Sequence, residues 1–201
     1  MIGSTRYAPI SCSEAGCTGM ALTGAARCWR HLEDPAGFLK GLRSSELAGA
    51  WLVGVDLPGR DLRKADLSHA RLSGANLSRA NLTGAVLAGA MLDGADLSRA
   101  DLSGANMELA VLGCANLEYT KLNGANLQRA NLVGAKGHAA DFTGANLYYS
   151  RPGNGDFQNA TFRNARIERA IFRRANLMGA TLTGASGNAN FESANLQGAV
   201  R

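Results

Sequence analysis

Aromatic residues make up only 6% of this 201-residue chain and charged residues 18%, with 4 Cys, 4 Pro and 3 His. Each scarcity removes a class of protein. No run approaches the roughly 18 apolar residues of a membrane span, and Met1–Ser11 has no apolar centre of signal-peptide length. The cytoplasm is therefore the expected location. No Gly-x-Ser-x-Gly elbow, phosphate-binding loop or His-Glu-x-x-His motif is present, and the 3 His are scattered, so an enzyme is not expected. Low charge beside 25 Gly would suit a disordered chain, were the apolar residues not spaced so regularly. The net charge of +5 is compatible with an anionic partner and identifies none.

What the chain does have is a period. From Leu52 the pattern Ala-(Asp/Asn)-Leu-x-x returns in steps of five through Leu57, Leu62, Leu67 and onward to Leu132. It continues through Phe142, Leu147, Phe157, Phe162, Ile167, Phe172, Leu177 and Leu182. Phe191 and Leu196 resume it after a one-residue deletion near Gly187. On an α-helix five residues turn about 500°, which would scatter the Leu around the whole cylinder. In a straight strand, successive Leu would point to opposite faces. Only a chain that bends once per repeat keeps them together. Ala and Leu then face inward, the Asp or Asn between them faces out, and the other two residues make a corner. Gly recurs there, as at Gly74, Gly84, Gly94 and Gly104, where a tight turn needs unusual backbone angles.

The period alone leaves the number of sides open. The repeat resembles that of the pentapeptide-repeat family, over roughly residues 47–200. This resemblance implies an all-β fold, a right-handed parallel β-helix with four repeats per coil and a square cross-section. With about seven to eight coils at the roughly 4.8 Å spacing of stacked strands, the rod would be about 35–38 Å long. Three segments are expected: a Cys/His segment at 1–33, a short capping helix at 34–46, and the β-helix at 47–201. Asp34-Pro35 reads as a helix N-cap followed by Pro at the first helical position, with Phe38, Leu39 and Leu42 as its apolar stripe. The resemblance also implies a homodimer through the C-terminal end, near Phe191 and Leu196.

Cys12, Cys17, Cys28 and His31 bring three thiols and an imidazole within 20 residues, the ligand set of tetrahedral structural zinc. Their spacing resembles the zinc knobs found before some pentapeptide repeats. So small a segment cannot build its own core, and metal would have to hold it. Cys114 falls at a corner and is expected to point outward, unpaired.

Function must then lie on the outer surface. In a four-sided coil, one corner column runs Arg79, Arg99, Tyr119 and another Arg129, Tyr149, Arg169, with Tyr148 and Arg151 nearby. A third outward column runs Arg71, Met91, Val111, Asn131, Arg151, Ile171. Stacked Arg and Tyr favour cation–π pairs and binding hot spots. Gly137 and Pro152 replace central apolar residues and are expected to bulge the wall into a recognition edge beside Tyr148 and Tyr149. The leading expectation is a protein-interaction scaffold. The alternative, implied by the family, is DNA mimicry that binds DNA gyrase and gives fluoroquinolone resistance. Mimicry needs a dense acidic face, whereas Lys136 and Lys121 dilute the two Asp/Asn columns. Direct nucleic-acid binding through Arg163, Arg166, Arg169, Arg173 and Arg174 is the least favoured reading, because these residues spread around one coil.

Overall fold

The computed structural model describes residues 10–41 and 47–201. From Trp51 onward the chain winds as a four-sided solenoid held by parallel bridges between residues 20 apart. One column runs Asp56, Asn76, Asp96, Asn116, Lys136, Asp156, Asn176, Asn195, and three others start at Trp51, Asp61 and Asp66. Five residues per side and four sides account for the spacing. The last step of the first column spans 19 residues, as does Ile171 to Asn190, so the expected deletion is taken up after Ser186 without loss of register. Each side is so short that it offers one bridged residue rather than an extended strand.

One repeat shows why the pattern has to be five. The Ala75 N–H closes the corner on the Leu72 carbonyl at 2.9 Å. Asn76 N–H reaches back one coil to the Val55 carbonyl at 2.8 Å, and Leu77 N–H reaches forward to the Asp96 carbonyl at 2.7 Å. Arg79 N–H likewise donates forward to the Ser98 carbonyl at 2.9 Å. The remaining donor, Ser78 N–H, points into the turn, where the Asn76 Oδ1 accepts it at 3.0 Å. All five backbone donors are satisfied, as a buried backbone requires. The outward Asp or Asn is therefore a turn cap as well as a polar surface residue, a role repeated at Asp66, Asp96, Asp101 and Asn106.

The second corner residue is left-handed throughout. Gly74 and Gly104 sit there at φ 66° and 64°, but so do Arg79, Arg99, Tyr119, Arg129, Tyr149 and Arg169 at φ 57° to 59°. Side chains other than Gly, Asn or Asp resist this conformation by about 1–2 kcal/mol. The ladder on both sides of the corner leaves the chain no other path.

The interior is dry and continuous. Ala70, Leu72, Ala75, Leu77 and their equivalents through Ala180 are essentially inaccessible to water. Leu fills the N-terminal half. Beyond it Phe takes over, with Phe142 stacked on Phe162 at 4.7 Å and Phe172 edge-on to Phe162 at 5.4 Å. Two buried Ala positions carry a hydroxyl instead. Thr120 donates its hydroxyl to the Leu97 carbonyl at 2.8 Å, whereas the buried Ser150 hydroxyl has no partner among the described residues.

The expected bulges do not occur. Beside Gly137, Lys136 keeps its bridges to both Asn116 and Asp156, and the wall runs straight. The missing side chain makes room for Phe157, since a Cβ on Gly137 would lie 2.5 Å from that ring, and Gly155 is crowded by the same ring. At Pro152 the loss is one hydrogen bond. Without an N–H it cannot donate to Ile171, and no bridge joins Arg151 to Ile171 among the described residues. Ile171 N–H still donates to Ser150 and Asn154 N–H to Arg173, so the corner keeps its place.

Ahead of the rod lie a 3-10 turn, Trp29–His31, and one α-helix, α1 (Pro35–Gly41). Asp34 caps α1 as expected, its Oδ1 accepting the Gly37 N–H at 2.8 Å. Phe38 packs on the core and lies edge-on to Trp29 at 6.4 Å. The side chain of Leu39, and Leu42 altogether, fall outside the described residues. No described helix is long and apolar enough to cross a membrane.

Candidate metal centre and outer faces

The Cys/His segment folds around four side chains that could hold a metal ion. Ser11 and Met20 form an antiparallel bridge, and Cys12 N–H donates to the Gly19 carbonyl at 2.9 Å, which places Cys12 and Cys17 at one end of a small hairpin. Cys28 immediately precedes the 3-10 turn that ends at His31, so these two side chains arrive together from the other direction. The three sulfurs and one imidazole nitrogen all lie within 4.8 Å of one another. Cys12 Sγ is 3.5 Å and Cys28 Sγ 3.4 Å from His31 Nδ1, and Cys17 Sγ is 3.9 Å from Cys28 Sγ. None is in a disulfide.

Backbone donors converge on two of these sulfurs: Cys28 N–H reaches Cys12 Sγ and Gly19 N–H reaches Cys17 Sγ, each at 3.3 Å. The donation from Cys28 is the main reason the Cys12 thiol is held down to about 6, against the opposing effect of burial. Cys17 moves the other way. The Gly19 N–H lowers its value, but burial and the neighbouring Cys12 and Cys28 outweigh it. Such a cluster can hold a metal ion by four ligands from the chain. It leaves no ligand position for a substrate.

On the rod, the anticipated columns form but do not meet. Arg99 lies over the Tyr119 ring at 4.7 Å, and Tyr119 meets His138 edge-on at 5.7 Å. Two sides further round, at the opposite corner, Arg169 lies over Tyr149 at 5.0 Å and donates to its hydroxyl. Tyr148 packs edge-on against Tyr149 at 4.6 Å and carries Arg166 at 4.2 Å. Arg129 and Arg151 belong with this second corner, while Arg79 belongs with the first. Arg163, Arg166, Arg169, Arg173 and Arg174 spread over several sides, as expected. Cys114 is exposed and free.

The outward column from Arg71 to Ile171 lies on a side that differs in chemistry from the other three. Three bear Asp or Asn at half or more of their outward positions. The fourth bears Trp51, Arg71, Met91, Val111, Asn131, Arg151, Ile171 and Asn190. On it Arg71 lies over the Trp51 ring at 4.5 Å and extends to the Met91 sulfur at 3.1 Å. This side borders the corner of Arg129, Tyr149 and Arg169. The signal was available in the sequence as the missing Asp/Asn of every fourth repeat.

The family model described as pentapeptide repeats (8 copies) matches residues 42–79, 70–108, 110–147 and 156–186. No curated protein matches the chain. Among solved structures, the chain is similar to HetL, a pentapeptide repeat protein involved in heterocyst differentiation regulation from the cyanobacterium Nostoc sp. strain PCC 7120. The two are 29% identical over 81% of this chain and 92% of that one, with a TM-score of 0.39. It is also similar to QnrB1, a plasmid-mediated fluoroquinolone resistance protein, at 20% identity over 79% and 86% and a TM-score of 0.42. A pentapeptide repeat protein from the Arabidopsis thaliana thylakoid lumen shares 27% identity over 67% and 74%, with a TM-score of 0.28. The chain belongs to the pentapeptide-repeat family.

Proposed function

We propose that the protein is a non-catalytic scaffold that recognises a protein partner through one side of a right-handed rod, beside the corner of Arg129, Tyr149 and Arg169. The difference between the four sides carries this reading. An outward Asp or Asn caps its own turn, and the side of Trp51, Arg71, Met91, Val111, Arg151 and Ile171 forgoes that cap at most of its levels. In its place stand apolar and guanidinium groups, with Ile171 39% exposed. Folding gains nothing from that exchange, and binding does, since Arg and aromatic residues are the usual anchors of interfaces.

DNA mimicry of the kind that would engage DNA gyrase is the alternative. The two Asp-bearing columns are interrupted by Lys121 and Lys136 and bordered by Arg63, Lys64, Arg79 and Arg99, so no side presents an unbroken acidic row. The scaffold reading thus expects gyrase supercoiling to be unchanged by micromolar protein. The test of the patch itself is affinity capture from a native lysate with Arg129, Tyr149 and Arg169 all exchanged for Ala. Loss of a captured protein supports it, and unchanged recovery of every partner eliminates it.

In the same proposal the Cys/His cluster holds structural zinc. Zinc bonds of about 2.0 Å to nitrogen and 2.3 Å to sulfur give tetrahedral edges of roughly 3.5–3.8 Å. The contacts of 3.4, 3.5 and 3.9 Å fit these edges. A reducing cytoplasm suits free thiolate ligands. Segment 1–33 would be the zinc knob, 34–46 the linking helix and 47–201 the rod. A second copy of the chain would cover the last coil, where Phe191 and Leu196 remain partly exposed. Sedimentation at the mass of one chain would refute that dimer.

A further inference from the structure

A parallel solenoid has a problem at its first coil. Every coil inside the rod receives hydrogen bonds from the coil before it, and the first has none to receive. Unpaired edge groups of this kind fray, or recruit other strands. The comparison is direct on one side of this rod. Arg71 in the second coil donates its N–H to the Ala50 carbonyl and accepts the Leu52 N–H on its own carbonyl, each at 2.8 Å. Trp51 stands one coil earlier in the same column and has no coil before it. Yet both its groups are paired. Its N–H donates to Thr23 Oγ1 at 2.7 Å, and its carbonyl accepts the Thr23 N–H at 3.0 Å. One residue of the Cys/His segment supplies both bonds that a preceding coil would have made.

A second contact reinforces the first. Trp29, on the 3-10 turn between Cys28 and His31, packs on the apolar end of the rod together with Phe38. Thr23 lies in the loop between Cys17 and Cys28. Both anchors therefore hang on backbone whose ends are metal ligands. Backbone bonds such as Ser13 N–H to the Ala26 carbonyl and Leu22 N–H to the Arg27 carbonyl tie that backbone, but its apolar support is slight: among the described residues of the segment only Cys12, Ala21 and Leu22 are buried apolar residues, and they stand apart from the core of the rod. So small a cluster cannot hold a loop in place without a ligand to organise it.

We infer that the Cys12–Cys17–Cys28–His31 site is a metal-dependent end cap, in which bound zinc holds Thr23 and Trp29 against the first coil and closes its open edge. The inference rests on the zinc reading given above, and the experiment separates the two. Zinc content of the full chain, purified from zinc-supplemented cells, would be measured by elemental analysis. Backbone hydrogen exchange would then be followed with zinc bound and after removal by a chelator. With zinc bound, removal should speed exchange in residues 47–57 by about tenfold or more and leave residues 97–182 unchanged. Thr23→Val, which removes the acceptor of the Trp51 N–H, should keep its zinc and show faster exchange at Trp51 than the parent. Zinc present but exchange in 47–57 indifferent to both its removal and to Thr23→Val would overturn the cap and leave the zinc site standing. A chain that takes up no zinc, alone or on titration with the metal, would overturn both.

Discussion

The knob and the rod solve the same problem in opposite ways. In the rod each Leu is buried by its neighbours in sequence and by the coils above and below, so order is shared among dozens of equivalent contacts. In the Cys/His knob four side chains meet at a single point, with only a few backbone bonds and ion pairs around them. The rod is redundant and the knob is not. Damage to the rod should therefore be graded by how deep it lies, whereas damage to the knob should be all-or-none and local.

The largest effect should come from Leu97→Asp. Leu97 is fully buried at mid-rod, and an unpaired carboxylate there has no water and no cation within reach. Loss of the cooperative transition in a thermal melt followed by circular dichroism is expected; a folded variant would mean the interior is wet. Next comes Phe157→Ala. That ring fills the space left by Gly137 and Gly155, and its removal should cost about 3–5 kcal/mol in denaturant unfolding while the fold survives. A cost below about 1 kcal/mol would show that the coils close over the gap. Cys28→Ser should abolish zinc uptake and expose the knob to trypsin near Arg27 and Arg30, yet leave the β-rich spectrum of the rod in place. Collapse of the rod in this variant would break the distinction between the two regions. The smallest effect, and of the opposite sign, belongs to Ser150→Ala. The buried hydroxyl without a partner becomes the Ala that most repeats carry, and the chain should gain about 1 kcal/mol. A loss on that exchange would mean that the hydroxyl is satisfied.

Most of the rod could be read from its sequence, because one requirement is imposed at every repeat: Leu72 and Leu77 face the same way only if the chain turns between them. The grouping of Cys12, Cys17, Cys28 and His31 was equally plain, since they fall within 20 residues of one another and the structure brings them together. The stacking of Arg99 on Tyr119 and Arg169 on Tyr149 was legible too, but other contacts across coils escaped. Gly137 reads as a weakness in the wall until Phe157, 20 residues later, is seen occupying its space. Pro152 reads as a break, but it removes only its own donor and the bonds beside it hold the corner. The pairing of Thr23 with Trp51 joins residues 28 apart that belong to different patterns, and no periodicity could connect them. The Asx caps were hidden in plain sight: an outward polar residue is explained well enough by solvent, and its Oδ1 bond to the N–H two residues on needs the turn geometry to be seen.

The bridges between residues 20 apart also govern how the chain can reach this shape. Every coil closes a loop of the same modest length, so none bears a larger entropic cost than another. A first pair of coils formed anywhere becomes the template on which the next is laid, and growth proceeds outward like a zipper. Such a molecule has no privileged nucleus in its ladder. Any preferred direction of growth must come from its irregular places: the Phe-rich half on one side, and on the other a knob that offers the first coil something to close against.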